Sequence, residues 1–336
     1  MPRIDDPSPA ATPPAIQPDT PALVVAFAAA GGEAARQALH DLRLPGLQRL
    51  LHLLQPAGRD DASELTLTPP HERAWARERG WRGADGTVPL AAWLAQDTGL
   101  DGGLDGSNTE PWCLLTPVHL HMGTEQVSML PPEALQLDAL TSRQLFDAIH
   151  PLFDSEGLAL HWLGPQQWLV RHPMFDGLPT ASLDRVIGRN VDRWLPDAPQ
   201  ARLLRRLQNE VQMVLYTHAL NDERERRGQL SVNSIWASGS GRAPVSSPRA
   251  DVAALETGLR AAALGEDWAA WREAWQALDA GTLRDWAARA EAGEPLRLVL
   301  CGERSAAHFE CQPRSLWQRW RARWNRPEPT AVLETL

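Results

Sequence analysis

Lysine is absent from this 336-residue chain, so all 33 of its basic side chains are arginines. That absence rules out a P-loop lysine, a Schiff-base lysine and a serine–lysine dyad, chemistries that need an amine. Tyrosine occurs once, at Tyr216, against fifteen tryptophans, for which core packing is the simplest reading. Cysteine occurs three times, at Cys113, Cys301 and Cys311, with no Cys-x-x-Cys spacing. An odd number without such a pair fits reduced thiols better than a disulfide framework, and on that ground the expected compartment is the cytoplasm. No run of about twenty apolar residues occurs, so no membrane-spanning helix is expected. With 42 acidic residues the formal net charge is −9, which argues against a protein wrapped in nucleic acid.

What the chain does have is 43% hydrophobic residues, enough for one large core or two ordinary ones. Before Pro21 it is dense in proline and carries Asp5, Asp6 and Asp19, a composition that cannot offset the entropy of ordering. The stretch from Leu23 to Gly32 reads as a first buried strand, because its flank is acidic and proline-rich rather than basic as in a signal peptide. Helices are expected from Pro45 to Leu54, after Thr68-Pro69-Pro70, from Val88 to Gln96, from Leu140 to Phe153 with Thr141 or Ser142 as cap, and from Ser182 to Leu195. The last of these would carry Arg185, Arg189 and Arg193 along a solvated side. Strands are expected at 112–115, 118–122, 126–130, 158–163 and 167–172, with a glycine-rich surface loop at 98–106. Past Pro248, helices over 253–264, 268–278 and 282–292 lead to strands at 296–301 and 308–312 and to a last helix from Ser315, docked by Trp317, Trp320 and Trp324. The expected organisation is a disordered arm over 1–21, an α/β region over 22–247, a helical and strand region over 248–326 completing the same domain, and a loose tail over 327–336.

The stretch from Asn209 to Gly241 concentrates polar residues where packing alone would not put them. If Leu204 to Arg224 is one helix, then at roughly 100° per residue Leu204, Leu207, Val211, Val214 and Leu215 make one apolar stripe. His218 falls inside that stripe, with Glu210 and Asn221 along one edge. Buried polar groups need partners, so an acid, an imidazole and an amide in one sector read as a site. Gly228 is a candidate C-cap, 232–236 a short strand, and Gly239-Ser240-Gly241 a loop whose backbone can approach a ligand closely. His218 and Glu210 are therefore the catalytic candidates, and Gln212, Asn221, Arg224, Asn233, Trp236, Gly239, Gly241 and His119 the ligand-binding ones. No metal or other cofactor is expected: His119 and His121 alternate onto one strand face, but no third ligand is near them in sequence.

Asn209-Glu210, Gln212-Met213, His218, Asn221, Arg224, Gly228, Asn233-Ser234, Trp236, Gly239 and Gly241, with Pro117 to Leu120 and Gly188-Arg189, resemble the bacterial RpfE-type regulatory proteins, which are labelled phosphoglycerate mutase-like. The Asn-x-x-Arg-x-x-x-Gly segment followed by Asn and Gly-x-Gly is similar to a segment of archaeal-type cofactor-independent phosphoglycerate mutases. This resemblance covers about residues 40 to 245. It implies an α/β fold of the alkaline-phosphatase and phosphoglycerate-mutase kind, a mixed or doubly wound sheet with flanking helices. Those mutases begin a two-metal site with an Asp at the end of the first strand and use a Ser or Thr nucleophile. Here Ala28 to Gly32 contains no Asp, no His follows an Asp by four residues, and Ser238 stands where a second Trp of Trp-x-Trp-Gly is expected. Without that set nothing evident neutralises a transferring phosphoryl group.

The resulting expectation is a regulatory or ligand-sensing protein, a catalytically degenerate relative of the mutases. Its implied partner is an anionic small molecule, with no nucleic acid and no membrane, and a protein partner is left open. Two alternatives stand beside it. One is an enzyme acting on an anionic or phosphorylated small molecule, with His218 as acid or base beside Glu210 and Arg224 on the substrate. The other is a non-catalytic scaffold or interaction protein whose polar motif holds the fold. From composition alone, removing the arm before Pro21 should leave the melting temperature nearly unchanged, and a fall of many degrees in a thermal melt would show that the arm is docked.

Overall fold

The computed structural model describes residues 20–40, 42–100, 110–124, 126–244, 253–311 and 328–336. The expected arm up to residue 19, the glycine-rich loop past residue 100 and the Trp317, Trp320 and Trp324 helix lie outside these residues. The chain divides into two units: the first comprises 1–65, 69–80 and 248–336, the second 66–68 and 81–247.

In chain order the first unit starts with β1 Ala22–Val25, α1 Glu33–His40, α2 Pro45–Leu53, β2 Gln55–Asp61 and α3 Pro70–Glu78. The second unit holds α4 Leu90–Asp97, β3 Trp112–Val118, β4 Leu120–Met122, β5 Val127–Met129, α5 Ala139–Asp154, β6 Ala159–Gly164 and β7 Gln167–Arg171. It continues with α6 Leu183–Val186, α7 Arg202–Tyr216, α8 Ala219–Arg226 and β8 Ser234–Gly241. The first unit resumes with β9 Ala253–Glu256, α9 Arg260–Leu264, α10 Trp268–Leu278, α11 Arg284–Glu291, β10 Arg297–Cys301, β11 Ser305–Glu310 and α12 Pro329–Leu333.

In the first unit β1 lies between β9 and β10 and parallel to both, while β11 and β2 extend the sheet antiparallel in the order β2-β11-β10-β1-β9. A strand buried on both faces must be apolar throughout, as Ala22 to Val25 is. Leu23, Val25, Leu298 and Leu300 point to one face, against Leu39, Leu47, Leu50, Trp271 and Trp275. Val24, Val299 and Cys301 point to the other, against Ala74 and Trp75 of α3. This is a mixed α/β unit, a mixed sheet flanked by helices, and it agrees with the expected fold class. The second unit is an antiparallel sheet, ordered β6-β7-β3-β8, with Cys113, Leu115, Trp168 and Val170 packed against Leu145, Ile149, Leu204 and Val211 of α5 and α7. Among the described residues no helix is long and apolar enough to cross a membrane. Five tryptophans, Trp93, Trp112, Trp168, Trp271 and Trp275, are among the largest fully buried side chains, which is the core role expected for this residue. All three cysteines are unbonded, and burial pushes the Cys113 and Cys301 thiols up, which makes them inert.

Several local expectations need correction. Asp138, not Thr141 or Ser142, caps α5, accepting from the Thr141 backbone at 2.9 Å and from its hydroxyl at 2.7 Å. The helix expected over 182–195 stops after α6, because Gly188 takes φ +75° and donates to the Met129 carbonyl. Arg185 there is buried, stacked on Trp194 and bonded to the Thr66 carbonyl, so it is not part of a solvated row. Residues 253–256 form an edge strand beside β1 rather than the start of a helix. The last residues are not a loose tail: Leu333 of α12 is fully buried and the Thr335 hydroxyl accepts from Arg59 at 3.1 Å. Thr20 and Pro21 are likewise held, their carbonyls accepting from the side chain and backbone of Arg297.

Two buried charge arrangements hold the first unit. The Asp279 carboxylate accepts from Gly46 and Leu47 backbone N–H at 2.9 and 2.7 Å, supplying the cap that α2 lacks from its own N-cap residue. Only glycine fits at 46, since a Cβ there would lie 2.6 Å from the Asp279 carbonyl oxygen. On the opposite face of the sheet α3 lays Arg73 and Arg77 on Asp60, at 3.1 and 2.6 Å, and Glu78 on Arg297 at 2.6 Å. His308 of β11 sits in this layer, 7% exposed, and its Nε2 has no hydrogen-bond partner among the described residues.

Burial, with Arg77 and Arg297 adding to it and Asp60 opposing, lowers the His308 pKa to about 4. Its folded value lies below the unfolded one, so its contribution is complete above about pH 6.5 and is lost as pH falls to about 4. The loss should be about 3 kcal/mol over that interval. Denaturant melts of parent and His308→Gln across this range test it: the parent should show the steeper acid loss, and parallel pH profiles would refute the assignment.

Candidate functional site

The polar stretch from 209 to 241 does not form one helical face. Helix α7 ends at Tyr216, and His218 takes extended angles (φ −82°, ψ 127°) to become the N-cap of α8, its Nδ1 accepting from the Leu220 N–H at 3.2 Å. That break resets the helical phase. The break re-aims His218 and the residues after it, while Glu210, upstream in α7, lies beside Arg206, 3.7 Å away. The catalytic pairing of His218 with Glu210 is not assembled.

The remaining candidates are brought together, but by one another's backbone. Asn221 is buried and donates from Nδ2 to the carbonyls of Leu215 and Val232, both at 2.8 Å, while its Oδ1 accepts from the Val232 N–H at 2.9 Å. It therefore ties the last turn of α7 to the entry of β8. Arg224, 3% exposed, donates from Nε to the Leu230 carbonyl at 2.9 Å and from Nη2 to the Leu135 carbonyl. Burial pulls its pKa down, with the Asp138 charge opposing. Asn233 pairs with the backbone of Leu120 in both directions, at 2.7 and 2.9 Å, as a strand residue would. His119 Nδ1 meets the Ser231 carbonyl at 2.8 Å, Trp236 Nε1 the Ala181 carbonyl at 2.9 Å, and Gln212 Nε2 the Ser234 hydroxyl at 3.3 Å. Gly228 does cap α8, with φ +71°.

The expected Gly239-to-Gly241 loop is the end of strand β8. Gly239, at φ +62°, brings the strand against α4, where a Cβ would fall 2.9 Å from that of Leu90. Gly241 meets Pro89 and Thr87 in the same way. These glycines serve the approach of a helix to a strand and leave no open cradle at those positions.

A different constellation in the second unit has open space around it. On α5, Arg143, Asp147 and His150 fall at i, i+4 and i+7 on one face, and they line a groove of about 490 Å³ with Phe146, Pro151, Leu160, His161 and Trp162. Arg143 Nε is 3.1 Å from Asp147, and its guanidinium lies over the rings of Phe146 and Trp162 at 5.1 and 5.9 Å. The His161 ring rests on Trp112 at 5.4 Å, and its Nε2 is buried without a hydrogen-bond partner among the described residues. Sequence reasoning passed over these residues. The signal was the polar i, i+4, i+7 set on α5 opposite an alternating His on β6.

No protein-family model and no curated protein matches the chain. Among solved structures it is similar to the cofactor-independent phosphoglycerate mutase from Thermoplasma acidophilum, at 13% identity over 94% of this chain and 98% of that one, with a TM-score of 0.35. It is also similar to the PH0037 protein from Pyrococcus horikoshii, at 12% identity over 90% of each chain, with a TM-score of 0.47. Neither likeness is close enough to carry a substrate or a residue role to this chain.

Asn221 offers a direct measure of what the network does. Asn221→Ala should cost about 2–4 kcal/mol, because it orphans the buried carbonyl and N–H of Val232 and removes one of the bonds to the Leu215 carbonyl. Asn221→Asp should cost as much, since it sets a carboxylate against the carbonyls of Leu215 and Val232. Urea melts decide this, and an Asp variant as stable as the parent would contradict the assignment.

Proposed function

We propose that the chain is a non-catalytic protein that works by binding, a regulatory protein in the sense of the RpfE-type resemblance, and that its 209–241 motif is a folding device. The observation that carries the folding role of the motif, and with it the non-catalytic reading, is the placement of Asn221 and Arg224: both are buried, and their hydrogen bonds run to backbone groups of residues 135, 215, 230 and 232. An anion-binding arginine would instead aim its fork into open space. The end of β1 supports the reading too. Ala26 to Gly32 carries no carboxylate, and Phe27, held at φ +55°, sets its ring against His71 at 5.1 Å while its carbonyl accepts from Trp271 Nε1 at 3.0 Å. The catalytic alternative is the weaker one, since His218 caps a helix and Glu210 faces solvent beside Arg206.

Two measurements test this. Arg224→Ala and Arg224→Lys should both melt early, by about 3 kcal/mol, because an ammonium cannot reach two divergent carbonyls as the planar fork does. Purified protein supplied with magnesium, manganese or zinc should not interconvert phosphoglycerates above background. Metal-dependent turnover that vanishes with chelator would sink the non-catalytic reading, and an Arg224→Lys variant as stable as the parent would sink the folding role of the motif.

A further inference from the structure

The groove between α5 and β6 belongs to none of the hydrogen bonds that hold the 209–241 motif, and we propose that it is a binding site for a small organic carboxylate with an apolar, ring-sized body. This inference rests on the reading of the chain as a protein that works by binding, and it adds the ligand class.

The argument starts with charge. Arg143, His150 and His161 line the groove, and Asp147, the one carboxylate lining it among the described residues, is already 3.1 Å from Arg143 Nε. Arg143 is half-exposed, and its guanidinium rests over the rings of Phe146 and Trp162, contacts that favour one placement of the cation. A positioned planar cation is the donor that a carboxylate matches best. The second point is the imidazole. His161 lines the groove, and its Nε2 is buried with no hydrogen-bond partner among the described residues, so the ring contributes an imidazole close to the bound charge rather than a direct contact from that atom. The third is the remainder of the lining. Pro151 and Trp162 edge the groove, and Phe146 and Leu160, only 2% and 6% exposed, make its apolar floor. At about 490 Å³ the groove has room for a head group and a ring together.

The charges around His161 set a pH dependence. Its pKa is lowered first by burial and then by Arg171 and His150. The groups facing it are Arg143, Asp147 and His150 of α5, Arg171 of β7, which pairs with Glu110 at 2.8 Å, and the neutral Trp112 ring of β3. A bound carboxylate favours the imidazolium, so binding takes up a proton and tightens as pH falls while the carboxylate stays ionised.

Benzoate serves as the probe, titrated into the full chain by calorimetry, with benzamide as a body without charge and inorganic phosphate as a charge without a body. Saturable one-to-one binding of benzoate is expected, several-fold tighter at about pH 6 than at about pH 8. Benzamide and phosphate should each bind about ten-fold more weakly or worse. Arg143→Gln, at a side chain that is 52% exposed, should keep the parent's melting temperature and weaken benzoate about ten-fold. His161→Gln should retain binding at the higher pH and lose the pH dependence. Absence of saturable benzoate binding, equal affinity in Arg143→Gln, or phosphate binding as tight as benzoate would each overturn the proposal. None of these results bears on Arg224 or on phosphoglycerate turnover, so the non-catalytic reading fails or survives separately.

Discussion

The carboxamide of Asn221 is the point on which the second unit turns. Helix α7 has to stop, the chain has to reverse through α8, and the returning segment has to enter β8 beside β3. Each of those events strands backbone groups away from water. One side chain with two donors and one accepting oxygen meets the Leu215 carbonyl and both polar groups of Val232, and Arg224 meets the carbonyls of Leu230 and Leu135. No aliphatic residue could replace either, since the backbone groups would remain and their partners would be gone. The apolar stripe of α7 and the fully buried strand β8 can pack only because this corner is closed.

The first unit solves the same problem with charge. Asp279 caps α2 across a sequence separation of 233 residues, and α3 rests on the sheet through Arg73, Arg77 and Glu78, held by Asp60 and Arg297. Pairs of this kind give up hydration that their attraction only partly restores, so they specify which helix lies on which strand more than they add stability. His308 stays neutral inside this layer for the same reason.

Satisfaction of buried polar groups also separates framework from site. In the 209–241 motif the polar atoms close on protein partners. In the α5–β6 groove Arg143 lines open space over two aromatic rings, and the His161 imidazole beside it has a buried nitrogen with no hydrogen-bond partner among the described residues. A residue can therefore look functional in the sequence because it is polar in an apolar context and still be spent on the backbone. Function is better sought where polar groups have been left without that use.

The sequence by itself determined the elements whose cause is local. The apolar run of β1, the Pro45 start of α2, the Gly164-Pro165 hairpin of β6 and β7, the Trp268 helix and the Gly228 cap all follow from side-chain period, proline and glycine. The tertiary structure decided everything that depends on a distant partner. It broke the helix at Thr217-His218 and so took His218 off the helical face that carries Glu210, and it turned Gly239 and Gly241 from a presumed loop into a strand pressed on α4. It also seated the last residues on Arg59 and brought His161 of β6 to the Arg143 face of α5. The physical reason is that periodicity reports how buried a side chain is and never which group it meets. For a polar residue in an apolar setting, that group decides whether it is structure or site.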